Sequence, residues 1–148
     1  MTITRSCQRG GSPNDNLRCR TRTGDEKGAM NHRESDEQQA LFQWAKLSQG
    51  KYPELSLLHS IPNGGKRNAL EASRLKKEGT LAGVSDIFLP VARGGFHGLY
   101  IELKIKGGKL SDNQKWWIEE TTKQGYYSTV CFGWIKASEV ITRYLTHD

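Results

Sequence analysis

The stretch GVSDIFLPVARGGFHGLYIELKIKGG, residues 83–108, decides how this chain is read. Two runs rich in branched and aromatic residues, 86–91 and 97–106, flank an ARGG turn whose glycines can supply positive φ, so an antiparallel β-hairpin is expected. Alternation along the second run puts Leu99, Ile101, Leu103 and Ile105 on one face and Tyr100, Glu102, Lys104 and Lys106 on the other. Glu102 and Lys104 therefore point the same way, roughly 6.6 Å apart along the strand. Asp86 opens the neighbouring strand and joins that face if the register is right.

Downstream, Ser111 and Gln114 have the spacing of a capping box at the head of a helix running to about Gln124, with Gly125 just past its end. A strand over 126–133 and a closing helix over 135–145 follow. Upstream, Ser35 and Gln38 repeat the capping-box spacing before an apolar helical run to about Ser48. Residues 55–61 read as a short strand and IPNGGKR as a loop. Residues 68–78 form a basic helix that Gly79 can end in a left-handed cap. The order α-β-α-β-β-α-β-α, with a hairpin and a crossover, implies an α/β fold: a mixed β-sheet flanked by helices.

Two polar residues stand out on these helices. Glu37 sits at the centre of the apolar face formed by Ala40, Leu41, Trp44, Ala45 and Leu47, where an unpaired carboxylate would be costly. It faces a polar cavity or metal, or the helix end frays and releases it. Gln114 either completes the cap begun by Ser111 or points inward with Trp117, Ile118 and Thr121. Trp116 lies away from that face and is the tryptophan to watch as an interface anchor.

With 148 residues the chain fits one domain that can fold without disulfides or a structural metal. Its apolar runs are short and broken by charge, so neither a membrane span nor a secretory signal is visible. Three cysteines, Cys7, Cys19 and Cys131, form no close pair, against both a disulfide framework and a zinc knuckle. An intracellular, cytoplasmic protein is expected. Of the net charge of +6, residues 1–33 carry seven Arg/Lys against three Asp/Glu, in a segment poor in large apolar residues that reads as a disordered basic tail preceding a domain at 34–148; an arm that tracks phosphates and an over-extended start with Met30 as the initiator are the alternatives, and the sequence does not separate them. Lys66, Arg67, Arg74, Lys76 and Lys77 make a local basic patch. Asn63, Gly64, Gly65, Lys66 and Arg67 lead into the basic helix, where glycines permit close backbone approach and the helix N-terminus favours anions. Together with Arg74 they are the candidate phosphate clamp.

Two carboxylates on adjacent strands suit Mg²⁺, or alternatively Mn²⁺, ions that take a few protein oxygens and keep several waters. A lysine beside them offsets charge at a scissile phosphate, and metal-assisted phosphodiester hydrolysis uses these parts. Glu-Leu-Lys alone describes many solvated strands; its combination with Asp86, the hairpin, Glu37 and the capped helix is more specific.

That combination resembles the PD-(D/E)XK nuclease superfamily, and within it the virus-type replication–repair nuclease family, VRR-NUC. The resemblance rests on HSIPNGGKR (59–67), GVSD (83–86), IELK (101–104) and LSDNQKWW (110–117), and runs over about residues 35–145. It implies a restriction-endonuclease-like core, Asp86 and Glu102 as metal ligands with the backbone carbonyl of Leu103 a third, and Lys104 as the catalytic lysine. Glu37 matches the family's N-terminal helix glutamate and Gln114 its helix glutamine. Ser85 departs from the proline often found before the aspartate.

The function so implied is a Mg²⁺-dependent DNA endonuclease selective for branched DNA, like a Holliday-junction resolvase, in phage or viral replication or repair within a bacterial or phage-infected host cell. Symmetric junction cleavage needs two sites, so a homodimer is expected. The alternatives are a non-catalytic DNA-binding protein and a flap or restriction-like nuclease with the same site. Joint presence of Asp86, Glu102 and Lys104 argues against the first, since binding alone has no use for acids facing a phosphate.

Overall fold

The computed structural model describes residues 25–62 and 68–147, with side chains described from Arg33. Helix α1 spans Asp25–Ser48, followed by a 3₁₀ turn over Pro53–Leu57. Strand β1 is His59–Ser60, helix α2 Ala69–Lys77, strand β2 Ile87–Leu89 and strand β3 Leu99–Lys104. Helix α3 covers Asp112–Lys123, strand β4 Tyr127–Phe132 and helix α4 Trp134–Thr146. The sheet order is β1-β2-β3-β4, antiparallel between the first three strands and parallel between β3 and β4. This is the expected mixed sheet, with the helix and strand order read from the sequence.

The hairpin closes as its glycines require. Arg93 and Phe96 bridge across the turn, and Gly94 and Gly95 both take positive φ, 55° and 82°, the signature of a type I′ turn whose twist matches the flanking strands. Alternation then sorts the residues. Ile87, Leu89, Leu99, Ile101 and Leu103 are buried on one face, beneath Leu41 and Ala45 of α1 and Ala137 and Ile141 of α4. Burying each of these larger aliphatic side chains contributes about 1.5–3 kcal/mol. The opposite face carries Asp86, Phe88, Tyr100, Glu102 and Lys104 and is only partly covered, by α3 packed along β4.

Four elements differ from expectation in their bounds. Helix α1 begins at Asp25, so residues 25–33, assigned above to the tail, are helical and Ser35 lies inside the helix rather than capping it. There the Ser35 hydroxyl accepts a hydrogen bond from Gln39 Nε2 at 3.2 Å, a capping signal spent within the helix. The strand expected over 55–61 shrinks to two residues because Pro53, at the first turn, favours a 3₁₀ turn in which Leu55 is the buried anchor. Strands β2 and β3 are likewise shorter than the apolar runs that encode them, since strand ladders end before the apolar pattern does.

Other local expectations hold. Asn68 caps α2 by accepting from the Glu71 amide, and Gly79 follows its end with φ 93°, with paired Gly79-to-Lys76 and Thr80-to-Leu75 bonds of a Schellman motif. No described helix is long and apolar enough to cross a membrane. Cys131 is buried and free, its thiol pushed up to about 11 by desolvation, which makes it inert at neutral pH.

Candidate active site

The register of β2 on β3 brings the acidic pair together. Phe88 lies opposite Tyr100, and continuing the antiparallel register by two residues places Asp86 opposite Glu102 on the same face. Asp86 sits just before β2 proper: its carbonyl accepts from the Ile61 amide at 2.7 Å, while its carboxylate Oδ2 accepts from the Leu103 amide at 2.9 Å. In an extended strand the N–H and C=O of one residue project to the same edge. Leu103 therefore turns its carbonyl as well as its amide toward the Asp86 edge, whereas the Lys104 carbonyl faces β4 and accepts from the Gly133 amide at 2.8 Å.

Gly83 sets where Asp86 stands. Its φ of 90° is in the region that favours glycine, and a Cβ there would lie 2.4 Å from the Asn113 carbonyl carbon. The GVSD turn thus abuts the first turn of α3, which fixes the distance from Asp86 to Gln114. Ser85 between them is fully buried, with a hydroxyl that has no partner among the described residues.

Glu102 is 1% exposed yet carries an ionisable carboxyl. Its Oε1 receives the Lys104 ammonium at 2.9 Å and the Gln114 side-chain amide, whereas Oε2 is buried with no hydrogen-bond partner among the described residues. Phe88 stacked on Tyr100, with ring centroids 4.3 Å apart, and Trp117 set edge-on to Tyr100 floor the site. Desolvation first, then the neighbouring Asp86 charge, raise the Glu102 carboxyl to about 7 against the opposing pull of Lys104; Asp86 also stands close enough to accept a hydrogen bond from Glu102 once it is protonated, so Oε2 lacks a partner only in the ionised state. Burial by itself would lower the Lys104 ammonium, but the hydrogen bond and charge of Glu102, with Glu34 and Asp86, outweigh it and the net shift is upward. Lys104 is a fixed cation at neutral pH.

Gln114 does both things its position allows. Its Oε1 accepts from the Ser111 amide at 2.9 Å while the Ser111 hydroxyl accepts from the Gln114 amide at 3.3 Å, a complete capping box. With the oxygen end so committed, the amide nitrogen is directed at Glu102. The cap aims the donor.

Glu37 finds a partner that the helical wheel does not contain. Its Oε2 accepts from the backbone amide of Trp134, 97 residues on, at 2.7 Å. Trp134 is the first residue of α4, whose own N-cap, Gly133, has no side chain to offer. Glu37 thus caps α4 from another helix, and the positive end of the helix dipole suits its charge. The α1 carboxylate beside Lys104 is instead Glu34, at 3.8 Å from the ammonium. One turn N-terminal to Glu37, it could have been found by extending the helix upstream. Asn63, Gly64, Gly65, Lys66 and Arg67 lie outside the described residues. Arg74 is exposed on α2 and pairs with Glu78 at 3.4 Å.

The donor set admits a particular kind of cation. Among the described residues no three His, Cys, Asp or Glu side chains converge into a metal cage. Two carboxylates, an unspent buried oxygen of Glu102 and a carbonyl on the same edge fit a hard divalent ion that retains part of its water shell.

A mixed sheet with a carboxylate pair and a lysine on a hairpin, flanked by helices, defines an α/β domain of the PD-(D/E)XK-like class. The VRR-NUC domain model matches residues 24–133, and the chain belongs to the VRR-NUC family. A solved structure described as a VRR_NUC domain protein superposes with a TM-score of 0.65 at 32% identity, over 75% of this chain and 86% of that one. No curated protein matches. A nuclease-type, DNA-processing function follows from the family. The matched span starts at α1 and stops before α4, the helix that Glu37 caps.

Proposed function

We propose that the protein is a divalent-metal-dependent DNA endonuclease that hydrolyses phosphodiester bonds in branched DNA, acting as a homodimer with Mg²⁺ as its metal. The observation that carries the reading is the Asp86–Glu102 pair, facing across β2 and β3 with a buried Glu102 oxygen left unpartnered. Asp86, Glu102 and the Leu103 carbonyl would hold the ion. When bound, it supplies Lewis-acid polarisation of phosphate and acidification of water.

The chain's own residues supply the rest. Lys104, held protonated, offsets charge that develops on the phosphate in the transition state. Gln114 fixes the rotamer of Glu102, and Glu37 holds the start of α4 against the β3 end where the Lys104 carbonyl meets the Gly133 amide. The loop 63–67 and Arg74 would grip the DNA backbone. Branched substrates and a dimer are supported by the site count of this domain, one carboxylate pair among the described residues where symmetric junction cleavage needs two.

The test is a panel of labelled junction, flap, fork and linear duplex DNAs incubated with Mg²⁺, with and without chelator, alongside mass measurement in solution. Chelator-sensitive cleavage that prefers the junction, from a dimer, is expected. Intact DNA throughout would remove the enzyme reading; preference for flaps or linear duplex would keep the site and overturn the substrate.

A further inference from the structure

A cavity of about 310 Å³ lies at the other end of the sheet, lined by Arg93, Phe96, Tyr127, Val140, Arg143 and His147 among others. That volume is at the lower bound of small-molecule sites. The hairpin turn, the first residue of β4 and the last turns of α4 build it. Tyr127 pairs with Leu99 at the start of β3, so Glu102 is three strand residues further, roughly 10 Å. The cavity also opens on the α4 side of the sheet, away from the carboxylate face. It is not part of the site described above.

Its chemistry is two-sided. Phe96 and Tyr127 sit 5.2 Å apart at 60°, and Tyr127 is stacked on Tyr144 at 6.1 Å, so two aromatic surfaces meet in one recess. The Tyr144 hydroxyl is committed to the Val91 carbonyl at 2.6 Å, which locks that ring. Around the rim are two guanidiniums and an imidazole. Arg93 spends one nitrogen on Glu54 at 2.7 Å and another on the Ala92 carbonyl, and its charge is largely answered. Arg143 has no carboxylate partner among the described residues, and Glu139 one turn before it is paired with Lys136. Arg143 lies in the last turn of α4, where the helix dipole answers part of its charge, but a guanidinium with no carboxylate partner among the described residues beside an aromatic recess suits a ligand that is both planar and anionic.

We propose that this cavity binds a nucleoside monophosphate unit, with the base against Phe96 and Tyr127 and the phosphate on Arg143. A guanidinium takes phosphate in bidentate geometry, and base–aromatic stacking tolerates any base. A free nucleotide and the phosphorylated end of a DNA strand present the same group. The site stands on its own lining and does not depend on the nuclease reading.

The test is calorimetric titration of the full chain, in chelator to keep ligands off the carboxylate pair, with deoxyadenosine monophosphate, deoxyadenosine, inorganic phosphate and a short 5′-phosphorylated single strand. Saturable binding of the monophosphate is expected, at least about tenfold tighter than either fragment. Arg143→Gln and Phe96→Ala should each weaken it about tenfold or more while melting like the parent. Tighter binding of the phosphorylated strand than of the monophosphate assigns the site to a DNA end, and equal binding assigns it to free nucleotide. No monophosphate or strand binding, or binding unchanged in Arg143→Gln, overturns the proposal.

Discussion

Glu37 and Trp134 are joined by a carboxylate-to-amide hydrogen bond of 2.7 Å that spans 97 residues and pins the start of α4 to α1. Replacing Glu37 with Ala should cost about 1–2 kcal/mol, the value of a helix N-cap, read as a lower denaturant midpoint. Glu37→Gln keeps an acceptor and should recover most of it. If the two variants destabilise equally, the cap is not what Glu37 contributes.

Glu102 is ion-paired with Lys104, but burial and the Asp86 charge outweigh that pairing, so the pH dependence of stability should run opposite to that of an exposed salt-bridged acid. The Glu102 carboxyl is raised from 4.5 to about 7, so the folded metal-free protein keeps a proton that the unfolded chain releases within that window. Stability should therefore fall as pH rises from about 4.5 to about 7, by roughly 3 kcal/mol when complete. Glu102→Gln should flatten this profile and melt above the parent at about pH 8 in chelator, while losing cleavage. Added Mg²⁺ should stabilise the parent and leave the variant unmoved. A parent whose chelated melting temperature is constant across the window would contradict the burial argument.

Gln114→Ala removes both ends of one amide. The lost capping-box bond should cost about 1 kcal/mol, and the freed Glu102 should lower the cleavage rate by about tenfold. Gln114→Glu can keep the oxygen end of the cap but places an acceptor against Glu102. Stability near that of Gln114→Ala or better, with activity as low or lower, is the pattern to look for. Full activity in both variants would show that Glu102 is held without Gln114.

Gly83→Ala should be damaging out of proportion to its size. The positive φ and the 2.4 Å approach to the Asn113 carbonyl carbon both have to be relieved. A loss of about 2 kcal/mol or more is expected in thermal melts, along with weakened metal binding, because the same turn places Asp86. Near-parent stability would mean that the turn and α3 do not touch in solution.

Ser85→Ala is the opposite case. Its hydroxyl is buried without a partner among the described residues, and removing an unsatisfied group should be neutral or stabilising by up to about 1 kcal/mol. A clear destabilisation would indicate that the hydroxyl has found a partner, such as an ordered water.

Much of the site was legible along the chain because it depends on neighbours. The period of two in LYIELK fixed Glu102 and Lys104 on one face, and Ser111 with Gln114 announced the start of α3. The two glycines of ARGG made the hairpin turn. Each of these is local, set by dihedral preference or by side chains three residues apart or fewer.

The remainder had to wait for packing. Whether Asp86 met Glu102 depended on register, which a shift of one residue would have reversed. A helical wheel marked Glu37 as anomalous but could not contain Trp134, and capping spacing at Ser35 could not reveal that α1 continues back to Asp25. Gln114 looked like a choice between cap and site, yet a side-chain amide has two ends, and the fold occupies both. Local sequence determined which groups share a face. Only the tertiary structure decided which of them meet, because a buried polar atom takes whichever partner the surrounding chain delivers to it.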